Sequence, residues 1–136
     1  LSVRVVHDRA VACPGEMECL GVASYGCGPL CSVGVRLLKD LDRDVVDNLI
    51  LVVEDVIDSG LTLSWLLRNM QSRQPASVEV CALLRKPEAA QVQTRVKHVG
   101  FDIPSEFVVG YGLDYAERYR DLPFVGLLRP EVYATS

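Results

Sequence analysis

Two long apolar runs in the chain predict buried β-strands. "NLILVVED" at 48–55 combines leucine with β-branched residues and shows no polar alternation, as in a strand that is covered on both faces. "SVEVCALLR" at 77–85 has a similar length and composition. Runs of this kind are typical of the central strands of a parallel sheet.

A helix is predicted between these two strands. After Gly60, apolar residues recur with the spacing of one helix face, and the helix is expected to end before Pro75. The order strand, helix, strand predicts a βαβ unit in which the two strands are parallel. The apolar positions of the helix are Leu63, Leu66, Leu67 and Met70.

The rest of the chain gives weaker patterns. "CLGVASY" at 19–25 predicts a short strand, and "GCGPLCSVG" at 26–34 predicts a flexible loop. "VRLLKDL" is too short to be assigned by periodicity. Further short strands are expected in "EFVVGY" at 106–111 and "FVGLL" at 124–128, whereas residues 1–18 show no clear pattern.

Composition predicts one globular domain over residues 1–136, because 49% of the 136 residues are hydrophobic and 24% are charged. There is no apolar run of about 18 residues and no secretory signal pattern, so we expect a cytoplasmic protein that does not bind membranes. The net charge of −4 argues against nucleic acid as a partner. Five cysteines without a CxxC pair indicate free thiols rather than a zinc site or a disulfide framework.

Carboxylates gather where the first buried strand ends. Glu54 and Asp55 lie at its carboxyl end, where ligands bind in open α/β sheets, and Asp58 follows in the turn. The turn leads into a helix, whose first N–H groups favour an anion, and Ser59 and Thr62 add hydroxyl groups. The sequence therefore predicts a site for a phosphorylated sugar, with carboxylates for its hydroxyls or for a magnesium ion.

Simpler interpretations exist for the same residues. Asp58 or Ser59 alone is better explained as a helix N-cap, and Glu54 and Asp55 could be solvated loop charges. Three carboxylates beside a glycine and two hydroxyls favour the site. There is no P-loop and no dinucleotide-binding glycine pattern, whereas a phosphoacceptor aspartate stays open on spacing alone.

Two segments resemble the purine phosphoribosyltransferases. "VVEDVIDSGLT" at 52–62 resembles their phosphoribosyl pyrophosphate motif, and "VGFDIPSEFVVGYGLDYAERYRDLPFVGLLRPEVY" at 99–133 resembles the C-terminal part of the hypoxanthine and hypoxanthine-guanine members. The resemblance implies an α/β, parallel-sheet type I phosphoribosyltransferase-like fold. We find no counterpart of the N-terminal strand and pyrophosphate loop of that family, so we expect a fold that lacks part of the N-terminal region.

The resemblance implies an enzyme of purine salvage. Such an enzyme transfers the phosphoribosyl group of phosphoribosyl pyrophosphate to hypoxanthine or guanine and releases pyrophosphate, with Mg²⁺ assisting. Xanthine stays open as a third base. Family members commonly associate, so a homo-oligomer is expected. The alternative is a nucleotide-binding or regulatory module with the same fold and no turnover.

The resemblance also assigns roles to residues around the sugar and the phosphate. Glu54 and Asp55 would bind the ribose hydroxyls, and Asp58 would act as general acid or base at the purine imidazole ring. The 5′-phosphate would be held by the turn formed by Asp58, Ser59, Gly60, Leu61 and Thr62.

Further roles follow for the base and the leaving group. Lys86 would meet the exocyclic oxygen of the purine, Phe107 would stack on the base, and the main chain of Val108 would meet its far edge. Taken singly, Lys86 as a solvated loop charge and Phe107 as a core residue would be the favoured interpretations.

The leaving group and the closing loop involve other positions. Asp114 would assist a magnesium ion, and Arg120 would contact pyrophosphate. Ser24 and Tyr25 would begin a mobile loop that closes over the site. As single residues, Asp114 would be better explained as a turn former and Arg120 as a surface charge.

Overall fold

A three-stranded parallel sheet forms the centre of the molecule in a computed structural model, which describes residues 10, 12, 15–25 and 34–134. The strands β3 (Leu49–Ile57), β4 (Ser77–Arg85) and β5 (His98–Asp102) lie in the order β3-β4-β5. Helix α1 (Leu61–Gln71) connects β3 to β4, and a short 3₁₀ turn at Pro87–Ala89 follows β4. The predicted βαβ unit with parallel strands is confirmed.

Two small antiparallel pairs and one short helix complete the described elements. Strand β1 (Gly21–Tyr25) pairs with β2 (Gly34–Lys39), so the segment that periodicity left unassigned is a strand. Strand β6 (Val108–Val109) pairs with β7 (Gly126–Leu127). Helix α2 covers Pro130–Tyr133. No helix in the described part of the chain is long and apolar enough to cross a membrane.

The core lies between α1 and the sheet. Val80, Ala82 and Leu84 are buried at alternate positions of β4, as expected for one face of a strand. Ile57 and Leu63 pack with Val80 and Ala82 in one cluster. Because Ile57 ends β3 and Leu63 lies in the first turn of α1, this cluster fixes the turn between them at the carboxyl edge of the sheet.

Strand β3 is covered less completely than its apolar run predicted. Leu49 is 82% exposed and Leu51 is 43% exposed, whereas Ile57 is buried. The expectation of a strand covered on both faces is therefore wrong for its first half within the described residues. The core forms at the carboxyl end, where Ile57 meets Leu63 of α1.

The late strands are shorter than predicted, because the chain turns sharply at Gly110. This glycine has a φ of 94°, and a Cβ atom there would lie 2.1 Å from the Phe124 carbonyl oxygen. Only glycine fits such a position. "EFVVGY" and "FVGLL" therefore each contribute two strand residues. Strand β5 was not predicted, since its exposed "HVGFD" pattern becomes a strand by pairing with β4.

Candidate active site

The acidic turn between β3 and α1 has a defined backbone shape. Ser59 Oγ accepts the N–H of Leu61 at 3.4 Å, and the Gly60 carbonyl accepts the first helical N–H, from Ser64, at 2.8 Å. Gly60 has a φ of 79°, which glycine adopts without steric cost. Asp58 makes no side-chain cap to this helix, so the simple N-cap interpretation of Asp58 is wrong.

A segment after β4, here called the strap (residues 86–92), lies against this turn. The Ser59 carbonyl accepts the N–H of Gln91 at 2.9 Å and that of Val92 at 3.3 Å. A Cβ atom on Gly60 would lie 2.8 Å from the Val92 carbonyl oxygen. The close backbone approach expected at Gly60 therefore occurs, and its partner within the protein is the strap.

A cleft of about 190 Å³ opens beside the turn. It brings together most of the residues predicted for the sugar and the phosphate. Asp55 does not line it, and its Oδ1 atom accepts the N–H of Val56 at 2.8 Å. The lining residues are Glu54, Val56, Ile57, Asp58, Ser59, Gly60, Thr62 and Leu63.

Lys86 reaches the same turn from the end of β4. Its Nζ atom donates to Asp58 Oδ2 at 3.0 Å, and its backbone N–H donates to the Ile57 carbonyl at 2.9 Å. Lys86 is only 8% exposed, and no other charged or polar residue of the described chain is buried. A buried lysine needs a partner of opposite charge. The interpretation of Lys86 as a solvated loop charge is therefore wrong.

Phe107 lies in an aromatic group that sequence reasoning did not predict. Its ring meets Tyr115 edge-on, with the centroids 5.5 Å apart, and meets Tyr133 at a tilt, with the centroids 5.4 Å apart. Phe107 is 37% exposed, so the core interpretation does not describe it. Val108 is buried in β6, and its strand pairing with Leu127 holds the local main chain. Neither residue lines the cleft.

Asp114 and Arg120 were assigned separate roles, and the structure joins them in one ion pair. Arg120 Nη1 lies 3.1 Å from Asp114 Oδ1, and Arg120 Nη2 lies 3.0 Å from Glu117 Oε2. The hydrogen bond to Glu117 and the nearby charge of Asp114 raise the pKa of the Arg120 guanidinium. Asp114 Oδ2 accepts the N–H of Glu117 at 2.9 Å. Asp114 therefore both forms the local turn, through the N–H of Glu117, and pairs with Arg120.

Ser24 and Tyr25 are the last two residues of β1. They pair with Val35 and Gly34 of β2. The loop that they were predicted to begin continues through residues 26–33, which lie outside the described part of the chain.

Comparison with known proteins decides the family. Residues 21–116 match the phosphoribosyl transferase domain family. Over 125 residues the chain is 58% identical to the hypoxanthine-guanine phosphoribosyltransferase of Mycobacterium tuberculosis, which covers 92% of this chain. This chain belongs to the phosphoribosyltransferase family. Within it, the similarity is to the hypoxanthine-guanine members, as the two motifs predicted.

Other phosphoribosyltransferases give the same result. The Bacillus subtilis hypoxanthine-guanine enzyme is 48% identical over 118 residues, which are 87% of this chain and 66% of the relative. A mutant hypoxanthine phosphoribosyltransferase from Trypanosoma cruzi, solved as a ternary complex with its substrates, is 42% identical with a TM-score of 0.83. That match covers 96% of this chain and 68% of the solved one. The expected type I phosphoribosyltransferase fold with a parallel sheet is therefore confirmed.

The phosphoribosyltransferases that match are longer than this chain. The chain spans 62% of the length of the Mycobacterium tuberculosis relative. The matched family segment, 21–116, contains the acidic turn, the strap and Asp114.

Proposed function

We propose that the chain is a purine salvage phosphoribosyltransferase. It transfers the 5-phosphoribosyl group from phosphoribosyl pyrophosphate to hypoxanthine or guanine, giving IMP or GMP and pyrophosphate. The observation that carries this proposal is the contact between buried Lys86 and Asp58, at 3.0 Å, beside the cleft. It sets a cationic donor and a carboxylate side by side where two neighbouring parallel strands end.

This pair suits one edge of a 6-oxopurine. The exocyclic O6 and the ring nitrogen N7 lie next to each other on that edge, as they do in guanine in the major groove. Lys86 Nζ donates to O6, and Asp58 exchanges a proton with the imidazole ring as general acid or base. The proton on N7 passes to Asp58 as N9 attacks the anomeric carbon of the ribose, and the bond from that carbon to pyrophosphate breaks with its electron pair leaving on pyrophosphate. The Lys86–Asp58 contact in the free chain keeps the two groups next to each other, as this edge requires.

The sugar phosphate lies along the acidic turn. Glu54 lines the cleft and accepts hydrogen bonds from the ribose hydroxyls, and Asp55, which lies outside the lining, adds its second carboxylate oxygen, Oδ2, when the sugar binds. The turn from Asp58 to Thr62 offers backbone N–H groups and the hydroxyls of Ser59 and Thr62 to the 5′-phosphate. Phe107 stacks on the base, and the main chain of Val108 meets its far edge.

The magnesium and pyrophosphate site involves Asp114 and Arg120. In the described part of the chain there is no group of three or more His, Cys, Asp or Glu residues that could hold a metal ion. One carboxylate fits Mg²⁺, because this ion is usually bound through one or two carboxylates together with substrate phosphates. When bound, Mg²⁺ supplies charge neutralisation on the leaving pyrophosphate. Arg120 adjoins Asp114 and contacts the same anion.

We also propose the domain organisation, the location in the cell and the oligomeric state that the sequence led us to expect. The chain forms a single domain that acts in the cytoplasm, where the Cys81 thiol stays reduced. We propose a homo-oligomer, as the resemblance to the family implies, and large apolar side chains exposed in the described chain are available for such contacts. They include Leu38, Leu49, Phe101, Phe124 and Leu127.

A second candidate is a nucleotide-binding module without turnover. The engagement of Arg120 favours it, because the contacts with Gly112, Asp114 and Glu117 already use part of the guanidinium donors and offset its charge, so less of both is available to pyrophosphate. Incubation with phosphoribosyl pyrophosphate, Mg²⁺ and hypoxanthine or guanine distinguishes the two. Nucleotide formation supports the transferase, IMP binding without product supports the module, and the absence of both contradicts each of them.

A further inference from the structure

We propose that the backbone N–H groups of Gln91 and Val92 position the phosphate-binding turn. They fix the peptide between Ser59 and Gly60 so that its own N–H points away from the strap, toward the bound 5′-phosphate. This inference rests on the proposed function, and it assigns a positioning role to two residues outside the acidic motif.

The Ser59 carbonyl carries the first part of the argument. It accepts two N–H groups from the strap, from Gln91 at 2.9 Å and from Val92 at 3.3 Å. A carbonyl oxygen has two lone pairs and can accept both. In a trans peptide the C=O and the following N–H point in opposite directions. The N–H of Gly60 is therefore directed to the side opposite the strap.

The orientation of this peptide determines what an anion would meet. Glycine adopts positive and negative φ with similar ease, so a peptide that precedes glycine in a turn can be turned over at little cost. In the reversed orientation the Ser59 carbonyl oxygen would face the phosphate and repel it. In the observed orientation an N–H faces it, as in other backbone anion sites. The two hydrogen bonds from the strap stabilise the observed orientation.

The contact between the strap and Gly60 is close enough to exclude other side chains. A Cβ atom there would lie 2.8 Å from the Val92 carbonyl oxygen, in addition to the unfavourable φ of 79°. Gly60 is thus needed because the strap lies on that side of the turn. Sequence reasoning missed this contact because Val92 lies more than thirty positions after Gly60 in the chain.

The strap also touches the base side of the site. It begins at Lys86, whose N–H donates to the Ile57 carbonyl at 2.9 Å and whose Nζ atom contacts Asp58. The same seven residues therefore hold both ends of the acidic turn. A change in the middle of the strap is expected to act on the phosphate end, because Gln91 and Val92 contact Ser59.

Gln91→Pro tests the proposal, because proline lacks the N–H that donates to Ser59. Ala90 before it is extended, with φ −64° and ψ 118°, which is compatible with a following proline. We expect the affinity for IMP to fall about tenfold, the effect of losing one well-placed hydrogen bond. The affinity for inosine, which lacks the phosphate, should stay unchanged. Gln91→Ala keeps the N–H and is the matched control, with both affinities at the wild-type level.

Replacing residue 91 by the α-hydroxy acid of glutamine gives a second variant. The resulting ester removes the N–H without restricting the backbone, and thermal unfolding reports whether each variant is folded. Equal losses for IMP and inosine in the ester variant would overturn the proposal, as would unchanged IMP binding in a folded variant. A wild-type chain that binds neither ligand would instead refute the proposed function, and this inference with it.

Discussion

At the scale of single residues, Asp58 and Lys86 form a pair of opposite charges with unequal exposure. Lys86 is buried, while the Asp58 side chain is 60% exposed to solvent. A buried cation keeps its orientation, whereas an exposed carboxylate can move to meet a ligand. This asymmetry suits a fixed donor for O6 and a proton-exchanging group at the imidazole ring.

Asp58→Asn is expected to reduce turnover far more than nucleotide affinity. The amide preserves the shape of the side chain and removes the ability to exchange a proton, which should lower kcat about 100- to 10,000-fold. Steady-state assays with hypoxanthine and calorimetry with IMP measure the two quantities. Asp44→Asn, an exposed position outside the cleft, serves as the control. An unchanged kcat would remove the acid-base role.

Lys86→Met is expected to weaken base recognition. Methionine keeps the buried apolar stem and loses the donor to O6, so KM for hypoxanthine should rise about 10- to 100-fold, the range for a hydrogen bond to a charged group. Lys97→Met, at an exposed lysine on the approach to β5, should leave KM unchanged. If both variants behave alike, Lys86 does not recognise the base.

The sequence predicted which residues gather at the acidic turn, but not the contacts that Lys86 and Phe107 make. The acidic motif predicted a shared site, and Glu54, Asp58, Ser59, Gly60 and Thr62 do line one cleft, because neighbours along the chain stay neighbours in space. The burial of Lys86 and its contact with Asp58 depend on the register in which β3 pairs with β4, and no local pattern specifies that register. The aromatic group around Phe107 depends likewise on contacts with two distant tyrosines.

At the scale of elements, the βαβ unit determines where the site forms. Helix α1 is held to the sheet by its buried face of Leu63, Leu66 and Met70. Its N-terminus and the acidic turn are fixed as a consequence. Local patterns were sufficient to predict α1 and β4 and the positions of β6 and β7, whereas β5 was not predicted and forms a strand by pairing with β4.

Met70→Ala is expected to destabilise the fold. Met70 is only 3% exposed, and truncating such a side chain leaves a cavity that costs about 2–5 kcal/mol of unfolding free energy. Urea unfolding followed by circular dichroism measures the change. Arg68→Ala, at an exposed position of the same helix, should cost less than about 0.5 kcal/mol. Equal effects of the two variants would contradict the assigned helix face.

The ion pair between β4 and β5 predicts a pH-dependent contribution to stability. The bidentate hydrogen bonds from Arg85 lower the pKa of the Asp102 carboxyl. Its contribution is therefore fully present above the unfolded pKa of about 3.9 and is lost as pH falls through the lower folded value. Asp102→Asn should be less stable than wild type at pH 7, and the difference should shrink as Asp102 becomes protonated.

Urea unfolding across this pH range measures the effect of Asp102. Asp121→Asn is the matched control, since Asp121 is exposed and has no ion pair within the described part of the chain. A stability difference for Asp102→Asn that does not change with pH would contradict the assigned ion pair.

At the scale of the whole molecule, the three comparisons and the two sequence motifs give the same family and fold. The two motifs, at 52–62 and 99–133, were long enough to indicate the family on their own. The partners of the short antiparallel strands and the exposure of large apolar side chains were not predictable from the motifs. Both depend on which segments meet in the folded chain. The acidic turn, buried Lys86 and the strap lie in contact at one edge of the sheet, where we propose that the nucleotide binds.

A crystal structure of the chain with bound IMP tests that site most directly. We predict the 5′-phosphate against the backbone N–H groups of the turn after Asp58, the purine O6 within hydrogen-bond distance of Lys86 Nζ, and the ribose hydroxyls near Glu54 and Asp55. Nucleotide bound away from the cleft, or bound there with its phosphate remote from the Ser59–Gly60 peptide, would contradict the account.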